Sequence, residues 1–430
     1  MKKNILPLAL LFLTLSGCAR RETPLPETAA APEATPAAVS LGGWEYAPDT
    51  RAIFLAGDDI SAEALRAALA ALPALEKLEY PKCGFSPETQ LALTADHPEV
   101  EFVWPVRWAG TAFESSAEVL EFSGAAPDAA ELRRMLPLFP RVREVDLAES
   151  TLTAEELCSL RESFPETDFR YTVELLGKTF DSLAEEIDLS TIPLTDTVEL
   201  EAALPHFQRL RKVDMCECGL DNETMDALNH RHEGIEFVWY VQVFCHEIRT
   251  DTTYYSMFNA TRYVTPGVGV ENFRYCHDMI ALDLGHSGAN TRDIQFLSEM
   301  PHLQYLIIAE CHVDDITVVG TLQELTYLEM FLNPCPDLSP LLNCPALTDL
   351  NISYDGSLTP DCVDVLKQMT QLERLWFYGQ RAGERLDELL SSLPDCHIEY
   401  AWGPESTDGG WRQHEHYFAM RDALHMYYMS

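Results

Sequence analysis

Basic residues are scarce in this chain: 30 Lys and Arg stand against 69 Asp and Glu among 430 residues, a formal net charge of −39. A nucleic-acid binder needs a basic face to neutralise phosphates, so that class is excluded. Long hydrophobic runs are missing after Cys18, and nothing there reads as a membrane span, which needs roughly 18 or more apolar residues. Signatures of catalysis are missing too. No Gly-rich phosphate loop follows a candidate strand, no carboxylate pair is framed as in a glycosidase, and no C-x-x-C pair has a matching second half. The composition is nevertheless that of a folded protein, 47% hydrophobic and 23% charged, which excludes wholesale disorder.

Repetition is what the chain has in abundance. An L-x-x-L-x-L pattern recurs at Met279/Leu282/Leu284, Leu303/Leu306/Ile308, Leu325/Leu328/Met330, Leu347/Leu350/Ile352 and Leu372/Leu375/Phe377, with middle residues 22 to 25 positions apart. Eight residues after each first apolar position stand Ser287, Cys311, Asn333, Asp355 and Gln380, small or polar side chains able to bond turn backbone inside a coil. A longer period governs the upstream half. Phe102-Val-Trp104-Pro-Val106, Phe169-Arg-Tyr171-Thr-Val173 and Phe237-Val-Trp239-Tyr-Val241 recur after 67 and then 68 residues. Leu75/Leu78/Tyr80, Val142/Val145/Leu147 and Leu210/Val213/Met215 keep the same step, and Cys83 and Cys218 take the ladder position after two of them. Thr153, with Glu156 three residues on, predicts a helix over 153–164 opened by a capping box. Further strands are expected at 119–122 and 187–189.

Periods of this length resemble the leucine-rich repeat, and the copies over 276–400 are similar to the internalin-type repeats of bacterial cell surfaces. The resemblance implies an α/β solenoid: a leucine-rich-repeat horseshoe with a continuous parallel sheet on the concave face and helices or turns on the convex face. One coil cannot bury its apolar strand face alone, whereas stacked coils can. The expected organisation is divergent repeats over 41–275 with a superrepeat of about 68 residues, regular repeats over 276–402, and an aromatic C-terminal cap or tail over 403–430. The first coil, around 53–55, is expected to close the N-terminal edge.

At the start, Lys2 and Lys3 precede an apolar run over 5–15 that ends in Leu15-Ser16-Gly17-Cys18. This is similar to the lipobox of bacterial lipoproteins, which implies that residues 1–18 hold a signal peptide and that Cys18 carries lipid. Residues 19–40 are rich in Pro, Ala, Thr and Glu without apolar periodicity and read as a disordered tether. In polyproline geometry, at about 3.1 Å per residue, it reaches roughly 70 Å. The expected location is the extracytoplasmic face of a bacterial membrane, held by the lipid alone.

Candidate chemistry competes with the repeat for the same residues. Of 12 cysteines, Cys18 is assigned to lipid, and the ladder explains Cys83, Cys218 and Cys311 as buried. Mostly free thiols are expected, with a bridge between Cys335 and Cys344 left open. Cys216, Cys218, His230, His232, Cys245-His246 and Cys276-His277 are neighbours in sequence. Zinc wants four converging ligands, and these residues fall on opposite sides of a coil. His414-Glu-His416 reads as a solvated polar pair. Gly285-His286-Ser287-Gly288 begins like a nucleophile elbow but has Ala289 where the second glycine belongs. No catalytic residue, metal or cofactor is expected.

The residues alternating with the core leucines project from the concave face. Downstream they are Tyr305, Ile307 and Ala309; Tyr327, Glu329 and Phe331; Asp349, Asn351 and Ser353; Arg374, Trp376 and Tyr378. Upstream they are ordinary charges such as Lys77, Glu79, Glu144, Asp146, Lys212 and Asp214. Exposed Tyr, Trp and Arg dominate protein interfaces, so the expected ligand-binding patch is Tyr305, Ile307, Tyr327, Phe331, Arg374, Trp376 and Tyr378, with Arg374 offering a bidentate contact to a carboxylate. The alternative is that the tail, with Trp411, Tyr417, Phe418, Tyr427 and Tyr428, folds back over this patch. Gly409-Gly410-Trp411-Arg412 and the following Tyr417-Phe418 are similar to the ends of repeat proteins of gut Firmicutes whose function is unassigned. The expected function is a surface scaffold binding an extracellular protein or peptide, or a glycan. An envelope-acting hydrolase or metal-dependent enzyme and a structural surface component stand as the other classes.

Overall fold

Three-residue strands with one inward apolar side chain are the unit of construction, and each coil sets its central residue on that of the next. In the computed structural model, which describes residues 38–57, 60–122, 127–147, 152–259, 268–379, 385–401 and 410–427, the chain divides into two units between Arg107 and Trp108. The readings for Cys18, most of the tether, Gln380, Trp402, Gly409 and Tyr428 fall outside the described residues.

In the first unit, β1 (Val39–Leu41) pairs antiparallel with β2 (Trp44–Tyr46). Then β3 (Ala52–Phe54), α1 (Ala62–Ala71), β4 (Lys77–Glu79), α2 (Pro87–Asp96) and β5 (Glu101–Val103) wind two coils. The three strands are parallel with Ile53, Leu78 and Phe102 in register, all buried. Ser61 and Ser86 start the helices by accepting from the N–H three residues on. Pro73 and Pro98 end them, because the residue before a proline is driven out of the helical region. The unit boundary falls within β6 (Pro105–Trp108).

The second unit opens with β7 (Thr111–Glu114) and two further superrepeats. The first holds β8 (Val119–Glu121), α3 (Ala129–Met135), β9 (Glu144–Asp146), α4 (Ala154–Ser163) and β10 (Asp168–Arg170), followed by the hairpin of β11 (Thr172–Leu175) and β12 (Lys178–Asp181). The second holds β13 (Glu186–Asp188), α5 (Val198–Ala203), β14 (Lys212–Asp214), α6 (Asn222–Arg231) and β15 (Glu236–Val238), followed by the hairpin of β16 (Tyr240–Val243) and β17 (His246–Arg249). Leu120, Val145 and Phe169 are in parallel register, as are Ile187, Val213 and Phe237. The capping box of Thr153 and Glu156 is formed in full.

Here the expectation of a continuous sheet is corrected. Upstream the parallel sheet comes in three-stranded blocks, because the chain leaves each block through an antiparallel hairpin. Leu176 and Gly177, both at positive φ, make a tight two-residue turn between β11 and β12. Ser182 ties that hairpin to its block, accepting from Tyr171 N–H and donating to the Phe169 carbonyl, both at 2.9 Å.

From Tyr254 the sheet does become continuous. Seven parallel strands, β18 (Tyr254–Ser256), β19 (Ala281–Asp283), β20 (Tyr305–Ile307), β21 (Tyr327–Glu329), β22 (Asp349–Asn351), β23 (Arg374–Trp376) and β24 (His397–Glu399), stack Tyr255, Leu282, Leu306, Leu328, Leu350, Leu375 and Ile398 in one row. It begins with Tyr254–Ser256, one coil before the regular repeats expected from residue 276. The connections are short 3-10 turns in the first four coils, then α7 (Cys362–Leu366) and α8 (Leu386–Ser392). This is the coil architecture of a leucine-rich-repeat α/β solenoid. The chain of the second unit closes on α9 (Glu415–Ala423). No helix among the described residues is long and apolar enough to cross a membrane.

The ladder position is occupied by buried side chains bonded to backbone. Asn333 donates to the Ile308 and Met330 carbonyls at 2.8 and 2.9 Å and accepts from Val313 N–H. Cys311 and Cys218 donate from sulfur to the Leu284 and Leu189 carbonyls, Ser287 accepts from Ala289 N–H, and Asp355 from Ser357 N–H. Cys83 accepts from the buried Gln90 amide. Cys335 and Cys344 are separate buried thiols, donating to the Asp337 and Val319 carbonyls.

Candidate functional site

The face of the seven-stranded sheet opposite the leucine row collects the alternating residues predicted from sequence, and residues 410–427 lie on it. Trp411 is the anchor, 1% exposed. Its indole N–H is shared between the Tyr327 hydroxyl and Glu329 Oε1, each at 2.9 Å. The ring lies between Tyr327 and Trp376, with centroids 5.8 and 5.7 Å away, and the Arg374 guanidinium sits over it at 4.3 Å. Ala281, Ile307 and Ala309 from the sheet, with Met420, Leu424 and Met426 from the tail, complete the apolar contact. Tyr254, Tyr305, Phe331 and Trp376 pack at its border.

Charges beneath the tail are paired. Arg374, 4% exposed, donates from Nε to Asp349 and from Nη1 to the Trp411 carbonyl at 3.0 Å. The other Asp349 oxygen bonds His416 Nδ1 at 2.9 Å. His414 caps α9, its ring accepting from His416 N–H, and burial lowers its pKa toward the neutral form that can accept. His425 stacks on Tyr254 with centroids 3.9 Å apart. Burial raises the Glu329 carboxyl above its ordinary value, against the opposing bonds from Tyr327 and Trp411, and lifts the Tyr327 hydroxyl well above its own. Asp283, bonded to Ser256 Oγ and the Gly285 N–H, is pushed up to about 6 by burial.

These positions correct the exposure expected of the patch. Tyr327, Ile307 and Arg374 are buried, and Tyr305, Phe331, Trp376 and Tyr378 are partly covered. For all of them except Tyr378, which lies against Tyr354, the reason is the tail: Tyr417, Met420 and Leu424 fall on one side of a helix, and an apolar helix face must be buried somewhere. The carboxylate that Arg374 was expected to seek in a partner is supplied by Asp349 in the chain itself. What stays open is a rim at one end of the strands. Leu332 and Tyr354, 44% and 45% exposed, project there, and Tyr354 meets Tyr378 edge-on at 5.0 Å. Both adopt positive φ four residues after the central leucine, the position that Gly379 fills in the next coil. A Cβ on Gly379 would come within 2.9 Å of the Tyr354 ring.

The other candidate sites stay apart. Arg249 donates to Cys216 Sγ and Asp214, His232 turns to Glu201, and His230 to the Asp226 carbonyl. Among the described residues no three His, Cys, Asp or Glu side chains are grouped to hold a metal. Ser287 is buried, and His286 pairs with Glu310 at the surface.

No family model matches this chain, and no curated protein does either. Among solved structures, internalin C2 of Listeria monocytogenes is 16% identical over 37% of this chain and 79% of its own, with a TM-score of 0.26. The internalin inlF of the same organism is 13% identical over 85% of this chain and 88% of its own, with a TM-score of 0.27. Likeness at that level assigns no function, and the fold stands on the strand register of the chain itself.

Proposed function

We propose that the chain is a cell-surface lipoprotein whose leucine-rich-repeat scaffold binds a protein or peptide outside the cell through the outer face of its seven-stranded sheet. One observation carries the reading: that face already grips a peptide, residues 410–427, through a buried indole and a guanidinium, groups that dominate protein interfaces, with an imidazole bonded beside them. The rim of Leu332, Tyr354 and Tyr378 extends the same face into solvent. The signal and lipobox ending in Cys18 support lipid anchoring, and residues 19–40 support display at a distance. A net charge of −39 favours a partner with a basic surface.

The test is capture of a partner from the native cell surface by the full mature chain, compared with Tyr354→Ser/Tyr378→Ser. The rim variant should lose the captured partner while keeping its circular dichroism and melting temperature. Undiminished capture by the folded variant would count against this face.

A further inference from the structure

The segment seated on the sheet is a poor fit for a permanent cap. At nine residues, α9 is shorter than the roughly 12 to 15 that an isolated helix needs for marginal stability, so its helicity depends on the sheet. Apolar surface of the segment is left in solvent: Phe418 in α9 and Tyr427 beyond its end are 48% and 61% exposed. Below it, Arg374 Nη2 and Trp376 Nε1 are buried donors with no hydrogen-bond partner among the described residues. Buried donors are almost always matched, so the resident segment leaves part of the chemistry of this face unanswered. The rest is specific. Glu329 and Asp349 take the Trp411 N–H and the His416 imidazole, and an aromatic slot between Tyr327 and Trp376 takes the indole.

We propose that this face is the receptor for a segment of a second protein, a short helix with an indole a few residues ahead of it and an imidazole in its first turn, at the spacing of Trp411 and His416, plus a neutral acceptor for the free donors. Residues 410–427 hold the face in that protein's absence. Three carboxylates face the segment, Glu329 at Trp411 and Asp349 and Glu373 at His416, against the one guanidinium of Arg374, and this excess selects a neutral or basic segment over an acidic one. This rests on the recognition reading, yet it fails separately, because its probe is a synthetic peptide and not the native partner.

Fluorescein-labelled peptide of residues 410–427 is titrated into full-length wild type, His416→Ala and Trp411→Ala chains. Affinity should rise in that order, by about tenfold or more from first to last, which corresponds to about 1.4 kcal/mol. Adding Trp376→Ala to the Trp411→Ala chain should abolish binding. Equal affinity for all three chains, no binding to any, or binding that survives Trp376→Ala would overturn the proposal. So would a Trp411→Ala chain that elutes as a dimer, since a second copy would then be the occupant. Should Trp411→Ala fail to fold by circular dichroism, His416→Ala against wild type decides by the same criterion.

Discussion

Replacing Trp411 by Ala should release the C-terminal helix while leaving the repeats folded. A buried Trp cut to Ala costs about 3–5 kcal/mol in lost transfer energy and cavity. Glu329 and the Tyr327 hydroxyl also lose a shared donor, about 1–3 kcal/mol where the groups stay buried. Release of the segment relieves the second cost by admitting water, so a working figure is about 4 kcal/mol, close to three decades in an equilibrium constant. Native-state hydrogen exchange on the full chain resolves the effect by position. The Leu424 amide, bonded to the Met420 carbonyl within the tail, should exchange up to about a thousandfold faster. The Met330 amide, bonded to the Asn351 carbonyl inside the sheet, should change by less than about tenfold. Unchanged protection at Leu424 would refute Trp411 as the anchor. Equal acceleration at both amides would refute a tail that opens on its own.

Asn333→Ala should cost about 2–4 kcal/mol in urea melts, because two carbonyls and one N–H are left unmatched inside a coil; a loss under about 0.5 kcal/mol would remove the ladder role. The Asp283 carboxyl ionises near 6 in the folded chain and near 3.9 unfolded, so the unfolded state binds fewer protons between those values and stability falls as pH rises. Asp283→Asn should therefore shrink the stability difference between about pH 4.5 and 6.5 by roughly 1–2 kcal/mol, and an identical difference would contradict the burial of this charge. Native alkylation followed by mass spectrometry should label Cys158 and Cys245 first and spare buried Cys83, Cys276, Cys311, Cys335 and Cys344 until the chain is unfolded; early labelling of Cys276 or Cys344 would contradict their place in the core. Gly379→Ala should destabilise by about 1 kcal/mol or more, since its φ is positive and its Cβ would strike the Tyr354 ring.

The strand rows were legible because one physical constraint writes them: a coil buries its central residue only if the next coil puts an apolar residue at the same height. Leu282, Leu306, Leu328, Leu350 and Leu375 obey it without exception. The hairpins were not legible. Val173 and Val241 alternate like any strand residue, and pairing backward in place of onward depends on turn dihedrals such as the positive φ of Phe244, between β16 and β17, where no glycine announces the turn. In the site, the residues of the face were found and their exposure was not. Glu329 between Tyr327 and Phe331 was a usable signal, because a carboxylate buried among aromatics calls for more than one donor: Tyr327 in its own strand supplies one and Trp411 in the tail another. The spacing of Tyr417, Met420 and Leu424 was the matching signal in the tail. The Asp349, Arg374 and His416 contacts join residues up to 67 positions apart, beyond the reach of any local pattern.

Photo-cross-linking from position 378 of the full chain in its native envelope, with position 323 on the connecting side of a coil as control, probes the recognition face most directly. A covalent adduct to a foreign polypeptide from 378, lost when peptide 410–427 is added in excess and absent from 323, is the expected result. Adducts from both positions alike, or from 378 only to the chain's own C-terminal residues, would mean that the face is closed for good and recognises nothing.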